Sequence, residues 1–245
     1  MLGAIDAASY HAAYASAMLI SLLYLALGPR PKDYIAFGDS QEGSLLVHLC
    51  GVRSIRELTT ADVDVQIGQN GMNRGTDVHP DQAVEPSAAD GSTSYRAYLR
   101  YLRAQAANST DSNSAAIYLA ALDSLEIFCA AASDNDDEDW KSKADSDPHS
   151  KTPFAWQYRL SDSFIDRLQR RTPLALAIFA CWATVLGKLE TGWVTEGWPE
   201  HIVFGIWSIM SAEDRLMIRW SMAQIGLKEP ALGDTPASSF PEDRI

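Results

Sequence analysis

The residues best suited to acid–base chemistry lie close together in the sequence, around Trp193 and Trp198. A carboxylate and an imidazole held among aromatic rings can exchange protons near neutral pH, because burial shifts both pKa values towards that range. The same side chains could instead form a polar corner between two helices, which is the simpler interpretation. The group consists of Glu190, Glu196, Glu200 and His201.

A second group of polar side chains lies on an apolar segment near the N-terminus. Tyr10, His11 and Tyr14 place hydroxyl and imidazole groups there. They either pack at half-buried positions with satisfied hydrogen bonds or line a cavity. If the chain is an enzyme, the catalytic candidates are His11, Tyr14, Glu200 and His201.

Tryptophan is concentrated in the last third of the chain. Indole rings can line an apolar pocket, and helical folds of this size can hold a hydrophobic ligand between helices. Core packing alone would explain most of these rings, so both interpretations stay open. The residues assigned to a ligand site are Tyr10, Trp182, Trp193, Trp198, Trp207, Met210 and Trp220.

The sequence contains no motif for a cofactor, a metal or a catalytic triad. It has no Walker A loop, GxGxxG, GxSxG or HExxH. The acidic run Asp134–Asp139 lacks the ordered spacing of cation ligands, so a solvated loop is the better interpretation. Cys50, Cys129 and Cys181 are far apart and form no CxxC pair, so we expect three buried thiols. We therefore expect no metal and no cofactor.

The charge of the chain bears on its partners. The formal net charge is −12 and the pI is about 4.7. This balance argues against direct nucleic-acid binding, which needs a basic surface, and against docking on an anionic membrane. The apolar run Ala17–Leu27 is too short to span a bilayer and lacks a basic segment before it. We expect an intracellular protein, cytoplasmic or nuclear.

Apolar residues recur at helical spacing along most of the chain, and no segment reads convincingly as a strand. The sequence therefore predicts an all-α fold, a single domain over residues 1–228 of about eight helices around an apolar pocket. Two acidic loops, near 59–92 and 133–152, interrupt it, and an irregular tail covers 229–245. The predicted helices are Ala4–Ala26, a possible short one at Lys32–Phe37, one from Gln41, one from Tyr95, Ser112–Ala132, Ser161–Arg171, one from Pro173, Pro199–Met210, and one after Ser211.

Capping residues fix several of these boundaries. Thr172 precedes Pro173, which suits the first turn of a helix. Ser211 and Asp214 have the spacing of a capping box, and Gly226 lies where a C-terminal glycine belongs.

Several stretches, taken in order, resemble a known family. They are the N-terminal helix, GPRP-KDYIAFGDS (28–40), the segment 45–55 that ends in GVRSI, PLALAIFACWATVL (173–186), GWVTEGWPEHIV (192–203) and RWSMAQIG (219–226). Together they are similar to the C-terminal regulatory domain of fungal zinc-cluster transcription factors, particularly that of sterol uptake control proteins. The resemblance covers roughly residues 1–58 and 155–227. It implies an all-α domain that binds a sterol in a hydrophobic pocket.

The chain also departs from that family. Family members carry a basic, cysteine-rich DNA-binding cluster before this domain, and three scattered cysteines cannot build one. A proline commonly follows the last motif tryptophan, whereas here Ser221 follows Trp220. We therefore expect a chain that does not bind DNA itself.

Two functions from different classes follow. The first is a stand-alone regulatory protein of fungal specialised metabolism that binds a sterol, terpenoid or polyketide-like molecule, and acts as a homodimer or through a regulatory protein partner. The second is a cofactor-free enzyme of secondary metabolism. It would use the same pocket for a cyclisation, dehydration or cycloaddition of the Diels–Alder type, by holding reactive groups in near-attack geometry.

Overall fold

The computed structural model describes residues 7–37, 94–109, 111–131, 156–188 and 192–228. These residues are mostly helical and contain no strand, so the predicted all-α fold is confirmed. Within these ranges, seven α-helices alternate with a single helical turn, Gly192–Thr195, and two 3-10 helices, Gln157–Arg159 and Asp214–Ile218. The helices are α1 (Ala7–Ala26), α2 (Tyr95–Ala107), α3 (Ser112–Ala131), α4 (Asp162–Gln169), α5 (Pro173–Leu186), α6 (Trp198–Ile209) and α7 (Arg219–Gln224).

Helix α5 lies at the centre of the core. Every residue from Ala175 to Leu186 is buried, and the helix contacts α2, α3, α4, α6 and α7. A helix that is apolar on all sides is stable only when other elements cover its whole circumference. Pro173 occupies the first turn as predicted. Thr172 does not cap the helix with its side chain; its hydroxyl donates to the Arg167 carbonyl at 3.1 Å.

Helices α2 and α3 form an antiparallel pair beside α5. The Ser94 hydroxyl caps α2 by accepting from the Ala97 amide at 3.4 Å. On the polar face of α2, Arg103 pairs with Asp123 at 2.5 Å and Glu126 at 2.8 Å, both on α3. Such partly exposed pairs contribute about 0–1 kcal/mol each. This ion pairing joins the polar face of α2 to α3.

Asp111 caps α3, an N-cap that the sequence analysis did not identify. Its carboxylate accepts from the amides of Asn113 and Ser114, each at 3.1 Å. Hydrogen bonds, first that of the Ser114 side chain, lower the pKa of this exposed carboxyl below its usual value. Helix α4 is capped by Ser161, whose hydroxyl accepts from the Phe164 amide at 3.2 Å.

Residues 28–37 do not form the short helix that was considered for Lys32–Phe37. Lys32 and Ile35 have left-handed backbones, with φ of +65° and +69°. The Ala36 amide bonds the Tyr34 carbonyl at 2.7 Å, which makes a tight three-residue turn around Ile35. A positive φ at a β-branched residue costs about 1–3 kcal/mol. Full burial of the Ile35 side chain offsets that cost.

The last predicted helix is divided. Ser211 does form the expected pair with Asp214: its hydroxyl accepts from the Asp214 amide at 3.1 Å and donates to the carboxylate at 2.6 Å. The chain then follows a 3-10 helix to Ile218, and only there begins α7. Gly226 ends α7 with φ of +71°, as predicted, while the Leu227 amide bonds the Met222 carbonyl at 3.0 Å.

Several predictions fall outside the described residues. They are the helix from Gln41, both acidic loops and the tail 229–245. Within the described ranges, no helix combines the length and the apolar character needed to cross a membrane.

Candidate functional site: a tryptophan cluster and a histidine corner

Four aromatic residues form the centre of the core, and we refer to them as the tryptophan cluster: Trp156, Phe164, Phe179 and Trp182. All four are completely buried. Phe179 and Trp182 are three residues apart on α5, so they share a face and stack with ring centroids 4.9 Å apart. Trp156 stacks on Trp182 at 6.0 Å and meets Phe164 of α4 edge-on at 5.9 Å.

The two indole N–H groups of this cluster differ in their surroundings. Trp156 Nε1 donates to the carbonyl of Ala121 on α3 at 3.0 Å. Trp182 Nε1 is fully buried and has no hydrogen-bond partner in the described part of the chain. Buried indole N–H groups normally have a partner, because an unmet donor costs about 1–3 kcal/mol. Trp182 Nε1 is therefore an open hydrogen-bond donor inside the aromatic core, and Arg167 Nε is the other buried side-chain donor without a partner among the described residues.

A second cluster joins Tyr95 and Tyr98 of α2 to Trp220 of α7. Trp220 stacks on Tyr98 with centroids 4.2 Å apart and meets Tyr95 edge-on at 5.0 Å. The Tyr98 hydroxyl donates to the Met217 carbonyl at 2.6 Å, and the Ser221 hydroxyl lies 3.5 Å away. Burial raises the pKa of both phenols well above 10. Both hydroxyls therefore stay protonated at neutral pH and serve as hydrogen-bonding groups.

His201 is the centre of a third group, the histidine corner, where residues 24–37 dock on α6. Its Nε2 lies 2.8 Å from the Asp33 carbonyl oxygen. Since a carbonyl only accepts, Nε2 carries the proton of this bond. The imidazole stacks on Tyr34 at 4.8 Å and meets Trp198 edge-on at 6.1 Å. His201 thus fastens a loop to a helix through a backbone carbonyl.

The Asp33 side chain extends this corner towards α1. It accepts from the Tyr24 hydroxyl and, at 3.2 Å, from the Ile35 amide. Burial, and then the hydrogen bond to Asp33, raise the pKa of Tyr24. Trp198 Nε1 also donates to the Leu25 carbonyl at 2.9 Å. These bonds hold the end of α1, the loop and the start of α6 together.

Burial lowers the pKa of His201 below its ordinary value, while backbone hydrogen bonds with Asp33 and Arg30 act in the opposite direction. The imidazole is therefore neutral at physiological pH. Glu200, the neighbouring acid–base candidate, is exposed. Adjacent residues on a helix point in different directions, so the carboxylate and the imidazole lie in different environments.

The predicted ligand residues are distributed over these groups. Trp182 belongs to the tryptophan cluster, Trp220 to the tyrosine-rich cluster and Trp198 to the histidine corner. Trp207 and Met210 are nearly buried near the end of α6, where the Arg215 guanidinium lies 4.9 Å from the Trp207 ring centroid. Trp193 is 77% exposed, so its indole lies in solvent.

The remaining predicted site residues belong to α1 or to the segment around Trp193. Tyr10, His11 and Tyr14 lie on α1, and their side chains are outside the described part of the structure. Glu190 is also outside the described residues, and Glu196 is exposed. Among the residues that are described, no group of three or more His, Cys, Asp or Glu side chains could hold a metal ion.

Tyr24, Asp33 and Gly205 also belong to the histidine corner, where a Cβ at Gly205 would overlap the Tyr34 ring. None of the three is predicted from the sequence as a site residue. Gly205 offered a signal, because a glycine inside an apolar helix often marks a close approach of another group. Tyr24 and Asp33 offered none, since their pairing depends on the turn at 32–37.

Comparisons with models of protein families, with curated proteins and with solved structures find no match for this chain. The resemblance to the fungal regulatory domain accordingly remains a prediction from the sequence.

Proposed function

We propose that this chain binds a hydrophobic small molecule between its helices and that Trp182 donates a hydrogen bond to it. The observation that carries the proposal is the buried indole N–H of Trp182, which has no acceptor among the described residues. A bound molecule with a hydroxyl or carbonyl oxygen beside this group would supply the acceptor.

The surroundings of Trp182 support a ligand that is mostly apolar. Its stacking partners are the rings of Phe179 and Trp156. Trp156 already uses its own N–H for Ala121, so Trp182 is the donor of the cluster that is left for a ligand. A largely apolar body with few oxygen atoms fits this setting, as a sterol, a terpenoid or a polyketide-like molecule would.

Ligand binding of this kind suits a regulatory protein. Occupation of the core would favour one conformation over another by the difference in affinity between the two, and a protein partner could recognise the favoured one. The net charge of −12 makes direct contact with nucleic acid unfavourable, so the signal would pass through such a partner.

Binding of two defined probes tests the proposal. The purified chain is titrated with the fluorescent sterol dehydroergosterol and with the terpenoid alcohol farnesol, and the dissociation constant is measured for each. Trp182→Phe keeps an aromatic ring but removes the donor, so we expect binding to weaken roughly 3- to 10-fold for the probe that binds. Trp193→Phe, at an exposed position, is the matched control and leaves the affinity unchanged. No saturable binding of either probe, or equal affinity of Trp182→Phe and the native chain, contradicts the proposal.

The second candidate is a cofactor-free enzyme of secondary metabolism. The observation in its favour is the neutral imidazole of His201, buried among aromatic rings. Deletion of the gene in its host, with joint measurement of neighbouring transcripts and metabolites, separates the two functions. Transcripts that fall together with the product indicate a regulator. Unchanged transcripts with an accumulating intermediate indicate an enzyme.

A further inference from the structure

Helix α1 presents a largely apolar face to solvent. Its large members are Leu19, Ile20, Leu23 and, just past the helix, Leu27, which are 60%, 51%, 65% and 70% exposed. Contiguous apolar surface of this kind is uncommon on a monomeric protein and marks an interaction site. We call this surface the α1 face; it consists of Ala12, Ala15, Ser16, Leu19, Ile20, Leu23, Ala26 and Leu27, all of them exposed.

The opposite side of α1 is anchored to the rest of the molecule. Ser21 and Leu25 are completely buried, and the Leu25 carbonyl accepts from Trp198 Nε1 at 2.9 Å. The α1 face lies about half a helical turn away from these two residues. The helix therefore has a fixed orientation, with one side in the core and the other available to a partner.

The spacing of the α1 face is that of a helix–helix seam. Ala12, Ser16, Leu19, Leu23 and Ala26 follow one another at intervals of four, three, four and three residues. This repeat keeps side chains on the line along which two helices pack as in a coiled coil. The exposed face thus has the pattern expected for contact with another straight helix.

Ser16 is the one polar residue of the α1 face, and it is compatible with such a seam. A serine hydroxyl on a helix can donate to the carbonyl four residues earlier, which for Ser16 is that of Ala12. The hydroxyl can therefore keep a hydrogen bond when an apolar side chain covers it. Its small size also leaves room for a bulky residue of the partner helix.

Residue size varies along that seam. Its N-terminal half carries only the small residues Ala12, Ala15 and Ser16, whereas its C-terminal half carries four large aliphatic side chains between positions 19 and 27. If two copies run antiparallel, the small Ser16 of each helix lies opposite the large Leu23 of the other, and the two alanines, Ala12 and Ala26, meet at the ends of the seam. If they run parallel, Ser16 meets Ser16 and leaves a void while Leu23 meets Leu23, which gives less even packing.

The absence of charged residues on α1 also favours a second copy of this chain as the partner. Helix α1 contains no Asp, Glu, Lys or Arg, in a chain whose net charge is −12. A charged partner would find no complementary group on this face. Two copies would meet at a segment without charge, where their mutual repulsion is least. An interfacial membrane helix would need a strongly polar or basic side, which α1 lacks.

We propose that two copies of this chain form a dimer in which their α1 faces pack antiparallel about a two-fold axis at Leu19. The seam spacing then places Ser16 opposite Leu23 of the second copy and Ala12 opposite Ala26. Each contact occurs twice, as a closed two-fold interface requires. This dimer is independent of the ligand site at Trp182, so either proposal can fail without the other.

The mass in solution tests the dimer. Light scattering during size-exclusion chromatography should give twice the 26.8 kDa of the chain. Leu23→Asp adds a carboxylate to each side of the seam and should return the mass to 26.8 kDa, with an unchanged circular dichroism spectrum. Leu216→Asp, at a 46% exposed position outside the face, is the matched control and should remain dimeric. Higher salt should strengthen the dimer, because it screens the repulsion between two acidic chains.

Cross-linking tests the orientation. Ala12→Cys and Ala26→Cys are made in a Cys50→Ser background, so that the added thiols dominate the reaction. An antiparallel pair brings position 12 of one copy to position 26 of the other, so an oxidised mixture of the two variants should form a disulfide-linked dimer. Ala12→Cys alone should not, since its two copies would lie about 20 Å apart.

Three results overturn the proposal. They are a monomeric native chain at all concentrations, a dimer that withstands Leu23→Asp, and a cross-link in Ala12→Cys alone without one in the mixture. The third result would indicate a parallel pair.

Discussion

The ring of Tyr34 occupies the space that a side chain at Gly205 would need. A Cβ added to Gly205 would overlap the Tyr34 ring, which lies against α6 at this point. One helical turn earlier, the same ring stacks on His201. Tyr34 is thus held against both positions, and the glycine permits the loop 28–37 to dock this closely. The close approach also explains why a residue of low helix propensity lies inside α6.

Gly205→Ala should therefore destabilise the fold. Alanine has the higher helix propensity, but the methyl group must displace the Tyr34 ring, and such overpacking costs about 1–3 kcal/mol. We expect a lower urea midpoint with an unchanged slope. In Tyr34→Ala, which vacates the space, the same glycine change should be neutral or stabilising by up to about 1 kcal/mol. Equal effects in both backgrounds would show that Tyr34 does not restrict position 205.

The pH dependence of stability should contain a contribution from His201. Its pKa in the folded chain is lowered by burial, so the unfolded state takes up a proton first as the pH falls through about 6.5. The free energy of unfolding is therefore reduced below that pH, by at most about 1.4 kcal/mol per pH unit. At higher pH both states are neutral and the contribution is constant.

His201→Gln measures this contribution directly. Glutamine can donate to the Asp33 carbonyl but does not titrate, and the other four histidines are unchanged. The stability advantage of the native chain over the variant should shrink between about pH 7.5 and 5.5. An advantage that stays constant or grows over this range would mean that the folded pKa of His201 is not lowered.

Trp156 and Trp182 allow a matched comparison of a satisfied and an open indole N–H. Both are completely buried and they stack on each other, but only Trp156 has an acceptor, the Ala121 carbonyl, among the described residues. Each change to phenylalanine removes a similar volume. Trp156→Phe also loses a hydrogen bond, whereas Trp182→Phe removes an unmet donor. Trp156→Phe should therefore cost about 1–2 kcal/mol more in unfolding free energy, measured without ligand. The reverse order would place an acceptor on Trp182 rather than on Trp156.

The long apolar helices could be predicted from the sequence because their signals are local. The structure confirms α2 from Tyr95, and α3 and α6 lie within one residue of their predicted bounds. Pro173 at the start of α5 and Gly226 at the end of α7 were found from capping chemistry alone. In each case the decisive groups are within a few residues of the boundary.

The loop 28–37 and the division after Ser211 could not be predicted in this way. The left-handed turn at Ile35 is stable because its side chain is buried and Tyr34 docks on α6, and the second of these depends on Gly205, far away in the sequence. A 3-10 segment at 214–218 shares apolar spacing with an α-helix over so short a length. The spacing of apolar residues therefore does not distinguish a 3-10 helix from an α-helix at these positions.

The candidate site shows the same limit. Sequence reasoning selected tryptophans by residue type, but type does not say which of them is buried. Trp182 lies in the centre of the core and Trp193 lies in solvent, and only the packing of α3, α4 and α5 distinguishes the two. Whether the N–H of Trp182 has an acceptor likewise depends on the atoms packed around it, which cannot be read from the sequence.

Cys129 and Cys181 should be chemically inert in the folded chain. They lie on α3 and α5 and are completely buried, in agreement with the expectation for these two thiols. Burial, and then contact with Cys181, raise the pKa of Cys129 well above its ordinary value. A thiol that is both buried and protonated reacts slowly, because the thiolate is the nucleophile. In a Cys50→Ser variant, the thiol reagent DTNB at pH 8 should titrate almost no thiol in buffer and two per chain in urea. Rapid reaction of either cysteine in buffer would mean that α3 and α5 separate readily, and a closely packed core around Trp182 would then be ruled out.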